Sequence, residues 1–190
     1  IAREVKRMEE MLGNILSFSK KQLVCFEECN LKNVLQEIFD LEYDHCHRQG
    51  IKFDWALAHN LPVILGDYRQ LRQVFLNLTI NARQVMNEGG VLTVSARTGS
   101  LRGEKAVVVE VRDTGGGIKP EVMRNIFNPF FSTFAKGTGL GLSISHRIIE
   151  HHHGQIEVVN SEKGARFIVS LPVVPPAGAS PGPAEKEKAG

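Results

Sequence analysis

The sequence is short of the features that announce a function at once. Three cysteines, Cys25, Cys29 and Cys46, occur in 190 residues. An odd number builds no disulfide framework, and reduced thiols suit a reducing compartment such as the cytoplasm. No stretch approaches the roughly eighteen consecutive apolar residues that a membrane-spanning helix needs, and no signal peptide is visible. The chain is therefore expected to be soluble and cytoplasmic, without membrane contact of its own; a membrane anchor in a longer protein stays compatible with this. A formal net charge of +2 is too small to argue for a nucleic-acid partner. His45, Cys46 and His47 form no metal-ligand pattern with Cys25 and Cys29 and read as a helix end. His151, His152 and His153 stand at a helix C-terminus, where imidazolium suits the helix dipole. A Walker sequence is missing, and no glycine run has the Gly-x-Gly-x-x-Gly spacing of a dinucleotide fold.

What the chain does have is enough apolar residues, 42 %, for one sizeable core, and glycines in two informative places. The run from Lys136 to Ser143 alternates Gly137, Gly139 and Gly141 with Thr138 and Leu140 and opens an apolar helix containing Leu142, Ile144, Ile148 and Ile149. Backbone without Cβ atoms at a helix N-terminus can approach phosphate oxygens closely. Alone, the run is equally compatible with two backbones packing together. A second glycine turn, Gly115 to Gly117, follows Asp113 and Thr114 directly after the β-branched run Val107 to Val111, so a strand delivers a carboxylate into it. Asn77 and Asn81, four residues apart, share one face of a helix. Together these suggest a bound nucleotide: Asp113 accepting from an adenine amino group, Asn81 offering an amide oxygen to a hard metal, and the later glycines covering phosphates.

The remaining pattern predicts alternating elements. A helix at the N-terminus carries Val5, Met8, Met11, Leu12, Ile15 and Leu16 at helical spacing, and an extended segment is expected around Leu23 to Phe26. Asn30 caps a helix to about Gln49; Ile51, Phe53 and Trp55 mark a strand, with Pro62 to Leu65 as its neighbour. Asp67 caps the asparagine helix, whose Leu71, Val74, Phe75, Leu78 and Val85 face the core. Two antiparallel strands follow at 91–98 and 105–112, then a short helix from Pro120 through Phe127, the glycine helix stopped by Gly154, and a hairpin of 155–160 with 165–171. This is an α+β pattern: a two-layer α/β sandwich whose mixed, mainly antiparallel sheet packs on helices, preceded by one helix. The Pro/Gly-rich and charged residues 175–190 are expected to be disordered.

These motifs resemble the ATP-binding catalytic domain of sensor histidine kinases, in the GHKL superfamily shared with gyrase, heat-shock chaperone and mismatch-repair ATPases. Residues 67–82 resemble its asparagine box, 113–117 its first glycine box, 126–133 its phenylalanine box and 137–141 its second glycine box, in family order. The resemblance implies domains at 1–22 (the end of a dimerisation and phosphoacceptor hairpin), 23–174 (the catalytic domain) and 175–190 (the tail). It implies ATP as substrate and Mg²⁺ held by Asn81. The implied ATP contacts are Asn77, Asn81, Asp113, Gly115, Gly117, Ile118, Phe127, Phe131, Lys136, Gly137, Thr138, Gly139, Leu140, Gly141 and Leu142, of which Asn77, Asn81 and Lys136 would be catalytic. Arg83 or Gln84 could add phosphate contacts, and Phe127, Phe130, Phe131 and Phe134 would anchor the edges of a compact lid.

Relatives that hydrolyse ATP usually carry an acid where Asn77 stands, so Asn77 favours a kinase. Thr114 and Gly116 replace the Asn and Pro common in the family and predict a looser first glycine loop; Phe134 stands where a lysine is common, with Lys136 nearby to supply charge. The family's acceptor histidine segment does not occur. The implied function is transfer of the ATP γ-phosphoryl group to a histidine on a hairpin missing from this fragment, for relay to a response regulator aspartate. The longer protein would be a homodimer, and the fragment would not autophosphorylate by itself. A nucleotide-binding regulatory pseudokinase and an anti-sigma-type serine kinase are the alternatives.

Overall fold

A computed structural model describes residues 24–87, 89–134 and 137–173. The expectations for residues 1–22 and for the tail lie outside them. The first helix, α1 (Leu31–Arg48), begins where Asn30 accepts the Lys32 amide at 3.0 Å, satisfying a donor that a helix start leaves without an intrahelical partner. Its buried Leu31, Val34, Leu35, Ile38 and Cys46 recur at helical spacing. The second helix, α2 (Tyr68–Gln84), is capped by Asp67, whose Oδ1 accepts from Gln70 N at 3.0 Å and whose Oδ2 accepts from Cys25 N at 3.1 Å. Leu71, Val74, Phe75 and Leu78 face the core as expected. Val85 does not. It caps the helix end, 39 % exposed, because the helical repeat that would bury it stops one residue earlier.

A five-stranded sheet has the order β2-β4-β5-β7-β6, formed by β2 (Ile51–Leu57), β4 (Gly90–Leu101), β5 (Glu104–Arg112), β6 (Gln155–Asn160) and β7 (Ala165–Pro172). Only β2 and β4 run parallel, with α2 lying between them in the chain as the crossover that a parallel pair requires. The sheet is mixed and mainly antiparallel, with helices against one face: Val94, Val109, Val111, Phe167 and Val169 point into the same core as Leu78, Ile144 and Ile149. Register places Val94 opposite Val111 and Val111 opposite Phe167, so one apolar stripe runs across three strands.

Local expectations shift in four places. The first strand, β1 (Glu27–Cys29), begins after the segment expected to be extended, and it pairs antiparallel with β3 (Ile64–Gly66). The Pro62 to Leu65 segment is thus no neighbour of β2, which stands at the edge of the five-stranded sheet and pairs with β4. The helix expected through Phe127 is a single turn, α3 (Pro120–Met123). In the last helix, α4 (Gly141–His151), the chain turns at His153, which adopts a left-handed φ of 56°, rather than at Gly154. Gly154 serves close packing instead, since a Cβ there would lie 2.6 Å from Ser170 O.

His152 departs from the expected imidazolium. Only 2 % exposed, it donates from Nδ1 to Ile148 O at 2.8 Å and accepts the Asp67 amide on Nε2 at 2.9 Å. These two partners assign the tautomer, because one is only an acceptor and the other only a donor. Burial lowers its pKa below the usual imidazole value, and the neutral ring joins the end of α4 to the start of α2.

Candidate nucleotide site

Strand β5 ends by carrying Asp113 into the interior, 3 % exposed, beside the start of β7. Its Oδ1 accepts from Gly115 N at 2.8 Å and Ala165 N at 3.1 Å, while its own amide donates to Ala165 O at 3.0 Å. One carboxylate oxygen is therefore fixed by backbone, and Asp113 forms part of the wall of a cavity of about 640 Å³. That size suits a small organic ligand rather than a lone ion.

The other walls come from sequence-distant elements. Asn77, Ile80, Asn81 and Gln84 contribute the exposed side of α2; Gly117, Ile118 and Lys119 follow Asp113; Phe131 to Phe134 and Gly137 to Gly139 form the lid side; Gly141 and Leu142 open α4. The start of α4 thus brings helix amides to the cavity, an arrangement that favours anionic oxygen. Asn77 Nδ2 donates to Gly141 O at 3.2 Å and to Ser145 Oγ at 3.4 Å, tying the two helices together and leaving Oδ1 as its remaining polar atom. Asn81 makes no side-chain hydrogen bond among the described residues, and its amide is available to a ligand.

Of the residues anticipated as ATP contacts, Asn77, Asn81, Asp113, Gly117, Ile118, Phe131, Gly137, Thr138, Gly139, Gly141 and Leu142 converge on this cavity. Three stand behind its wall. Leu140 turns its side chain into the core at 2 % exposure, Phe127 packs on His146 with ring centroids 5.1 Å apart, and Gly115 lies over Val85. Lys136 is outside the described residues. Arg83 is directed elsewhere: its Nε meets the buried Glu42 carboxylate at 2.8 Å and its Nη1 reaches Gln49 at 3.3 Å. Phe130, expected to anchor the lid, is 69 % exposed with a left-handed φ of 65°.

The first glycine loop is more firmly held than Thr114 and Gly116 suggest. Thr114 Oγ1 accepts the Val91 amide at 3.0 Å and lies 3.7 Å from Met86 Sδ, so the threonine ties the loop to the start of β4. Gly116 and Gly117 take φ values of 88° and 80°, which residues with a Cβ adopt only at a cost. Ile126, which opens the phenylalanine box, also lines the cavity, as do Val85, Lys119 and Phe167, whose positions carry no motif by which sequence could mark them. Val85 was hidden by its fit to the helical core repeat.

The family model for histidine kinase-, DNA gyrase B- and HSP90-like ATPases matches residues 66–175. Sensor histidine kinase ZraS of Escherichia coli O157:H7 is 34 % identical over 174 residues, which cover 91 % of this chain and 37 % of ZraS. Full-length ShkA, crystallised with AMPPNP, superposes with a TM-score of 0.77 at 29 % identity, over 90 % of this chain and 37 % of ShkA. Histidine kinase ThkA, crystallised with response regulator protein TrrA, superposes with a TM-score of 0.71 at 30 % identity, over 90 % of this chain and 49 % of ThkA. The chain thus spans less than half of each relative. With the four boxes placed around one cavity, it belongs to the histidine kinase-, DNA gyrase B- and HSP90-like ATPase family, as an ATP-binding catalytic domain of the sensor histidine kinase type.

Proposed function

We propose that the chain binds ATP with adenine against Asp113 and transfers the γ-phosphoryl group to a histidine on a dimerisation helix, for relay to an aspartate of a response regulator. The observation that carries this reading is the Asp113 carboxylate. Two amides hold its Oδ1, which leaves the other oxygen to accept from an exocyclic amine. The phosphates then extend toward the opening of α4 and the lid. Asn81 fits Mg²⁺ as a neutral, hard oxygen donor and would share it with phosphate and water oxygens, where the ion would supply neutralisation of phosphate charge. Loose phosphoryl transfer needs alignment and charge stabilisation more than covalent help, and Asn77, braced on Gly141 and Ser145, positions the groups beside it.

Lys136 is proposed to supply further charge to the γ-phosphate. The acceptor hairpin and regulator are separate partners of this domain, and the longer protein acts as a cytoplasmic homodimer at this step. Among the described residues no helix is long and apolar enough to cross a membrane. The test is incubation with radiolabelled ATP and a separately supplied acceptor hairpin. Acid-labile label on the hairpin histidine is expected. Tight ATP binding without transfer to any cognate hairpin would instead make the domain a regulatory nucleotide sensor.

A further inference from the structure

The β6 and β7 strands continue to serve the first glycine loop after that loop has left the sheet. Asp113 N donates to Ala165 O at 3.0 Å, and Gly116 N to Lys163 O at 3.0 Å. These are backbone bonds that almost any sequence could supply. The next one depends on a side chain: Ile118 N donates to Asn160 Oδ1 at 2.8 Å, and Asn160 Nδ2 donates back to Ile118 O at 2.9 Å. An amide side chain presents one donor and one acceptor side by side, as a neighbouring strand's backbone would. Asn160 therefore extends the pairing by one residue beyond the sheet.

We infer that Asn160 is a positioning residue for adenine recognition, acting through Ile118 and Gly117. This rests on the nucleotide reading of the cavity. Gly116 and Gly117 both have left-handed backbone, so without a fixed point beyond them the segment has many alternative paths. Ile118 is the first residue past the glycines, and with Gly117 it forms cavity wall next to Asp113. A Cβ on Gly117 would stand 3.1 Å from Asn160 Oδ1, so the missing side chain also makes room for the clasp. Asn160 itself is exposed and lines no part of the cavity. Its effect reaches the base only through the loop it holds.

The test compares ADP and Mg-ATP binding by calorimetry in the wild type, Asn160→Ala, Asn160→Asp and Asp113→Asn, with nucleotide-free melting measured for each. Asn160→Ala removes both bonds and should weaken ADP and Mg-ATP by the same factor, roughly three- to tenfold, since the base end is common to both. Asn160→Asp retains an acceptor for Ile118 N but sets its second oxygen against Ile118 O, so it should weaken both nucleotides by the same factor, at least as much as Asn160→Ala does. A merely structural clasp would lower the melting temperature and leave affinity of the folded protein unchanged. Wild-type affinity in Asn160→Ala overturns the inference, as does a loss that differs between ADP and Mg-ATP. If Asn160→Ala does not fold, Asn160→Asp decides by the same equality. Wild-type binding in Asp113→Asn would mean that the adenine reading has failed. Loss there with none at Asn160 would sink the positioning role alone.

Discussion

The two ends of the cavity are built on opposite plans. At the Asp113 end, bonds join residues far apart in sequence: Asp113 to Ala165 across 52 positions and Ile118 to Asn160 across 42. At the lid end the bonds among the described residues are local. Ser132 and Phe134 bond each other across two positions, and Gly137 N reaches back only to Phe134 O. Local bonds keep a loop's shape but do not fix it to the body, so the lid can open at little cost while the base end stays formed. The lid is also pinched at its root, where a Cβ on Gly139 would lie 2.6 Å from Phe130 O. Under the proposed function, the end assigned to the base is therefore preformed, and closure over the phosphates is left for the ligand to complete.

The largest expected effect comes from the residue between the two ends. Asn81→Ala should reduce phosphoryl transfer by roughly 10²–10³-fold, the scale for removing one group that stabilises transition-state charge. With no side-chain bond lost among the described residues, nucleotide-free melting should be nearly unchanged. Single-turnover transfer paired with a melting curve checks this, and a large stability loss would make Asn81 structural instead.

Next comes the preformed end. In Asp113→Asn the carbonyl oxygen must keep accepting from Gly115 N and Ala165 N, which turns the amide donor toward the adenine amine. Binding of ATP and ADP alike should fall by about 1.5–3 kcal/mol, the value of a charge-assisted bond. Calorimetry on the folded variant decides, and unchanged affinity would break the comparison at its firmer side.

The lid should respond more weakly. Gly139 has φ 68°, so Gly139→Ala costs about 1–2 kcal/mol in backbone strain and crowds Phe130. Mg-ATP affinity should drop several-fold and ADP affinity less. Hydrogen exchange in residues 130–134 and 137–139 should show ATP-dependent protection in the wild type that the variant lacks; equal protection with and without nucleotide would remove the lid's assigned role.

The smallest effect is expected far from the ligand, at His152. Its folded pKa is lowered by burial, with the Asp67 carboxylate opposing and His151 and His153 adding to the shift; Phe26 covers the ring at 4.9 Å. The unfolded chain binds a proton that the folded one does not, so stability is complete above about pH 6.5 and declines as pH falls below it. Melting temperature measured from pH 8 downward should show this decline, and His152→Gln should flatten it. A decline of the same slope in the variant would place the pH dependence elsewhere.

Much of this arrangement is legible in sequence. Asn30 and Asp67 announce their helices because a cap is a local event, and the four boxes announce the cavity because phosphate and base contacts need particular residue types at fixed spacing. What escapes is decided by partners distant in the chain. Nothing near Ile64 says that it will pair with Cys29 rather than with β2, and nothing near Asn160 says that it will clasp Ile118. Val85 and His152 mislead for a related reason: the first fits a helical repeat that stops just before it, and the second sits at a helix end but is sealed by Asp67 and Phe26.

The long reach of the Asp113 bonds also sets an order of events during synthesis. The ribosome makes Asp113 52 residues before the Ala165 amide that holds it, and β7 must enter between β5 and β6 before the central ladder is complete. Pairings of such separation carry a loop-closure cost and form late. A nascent chain that ends before β7 can already possess α2 and both asparagines, yet its Asp113 carboxylate has the Gly115 amide without the Ala165 amide. Capture of nucleotide is thus among the last properties the domain acquires, and it stabilises only molecules in which the sheet has closed.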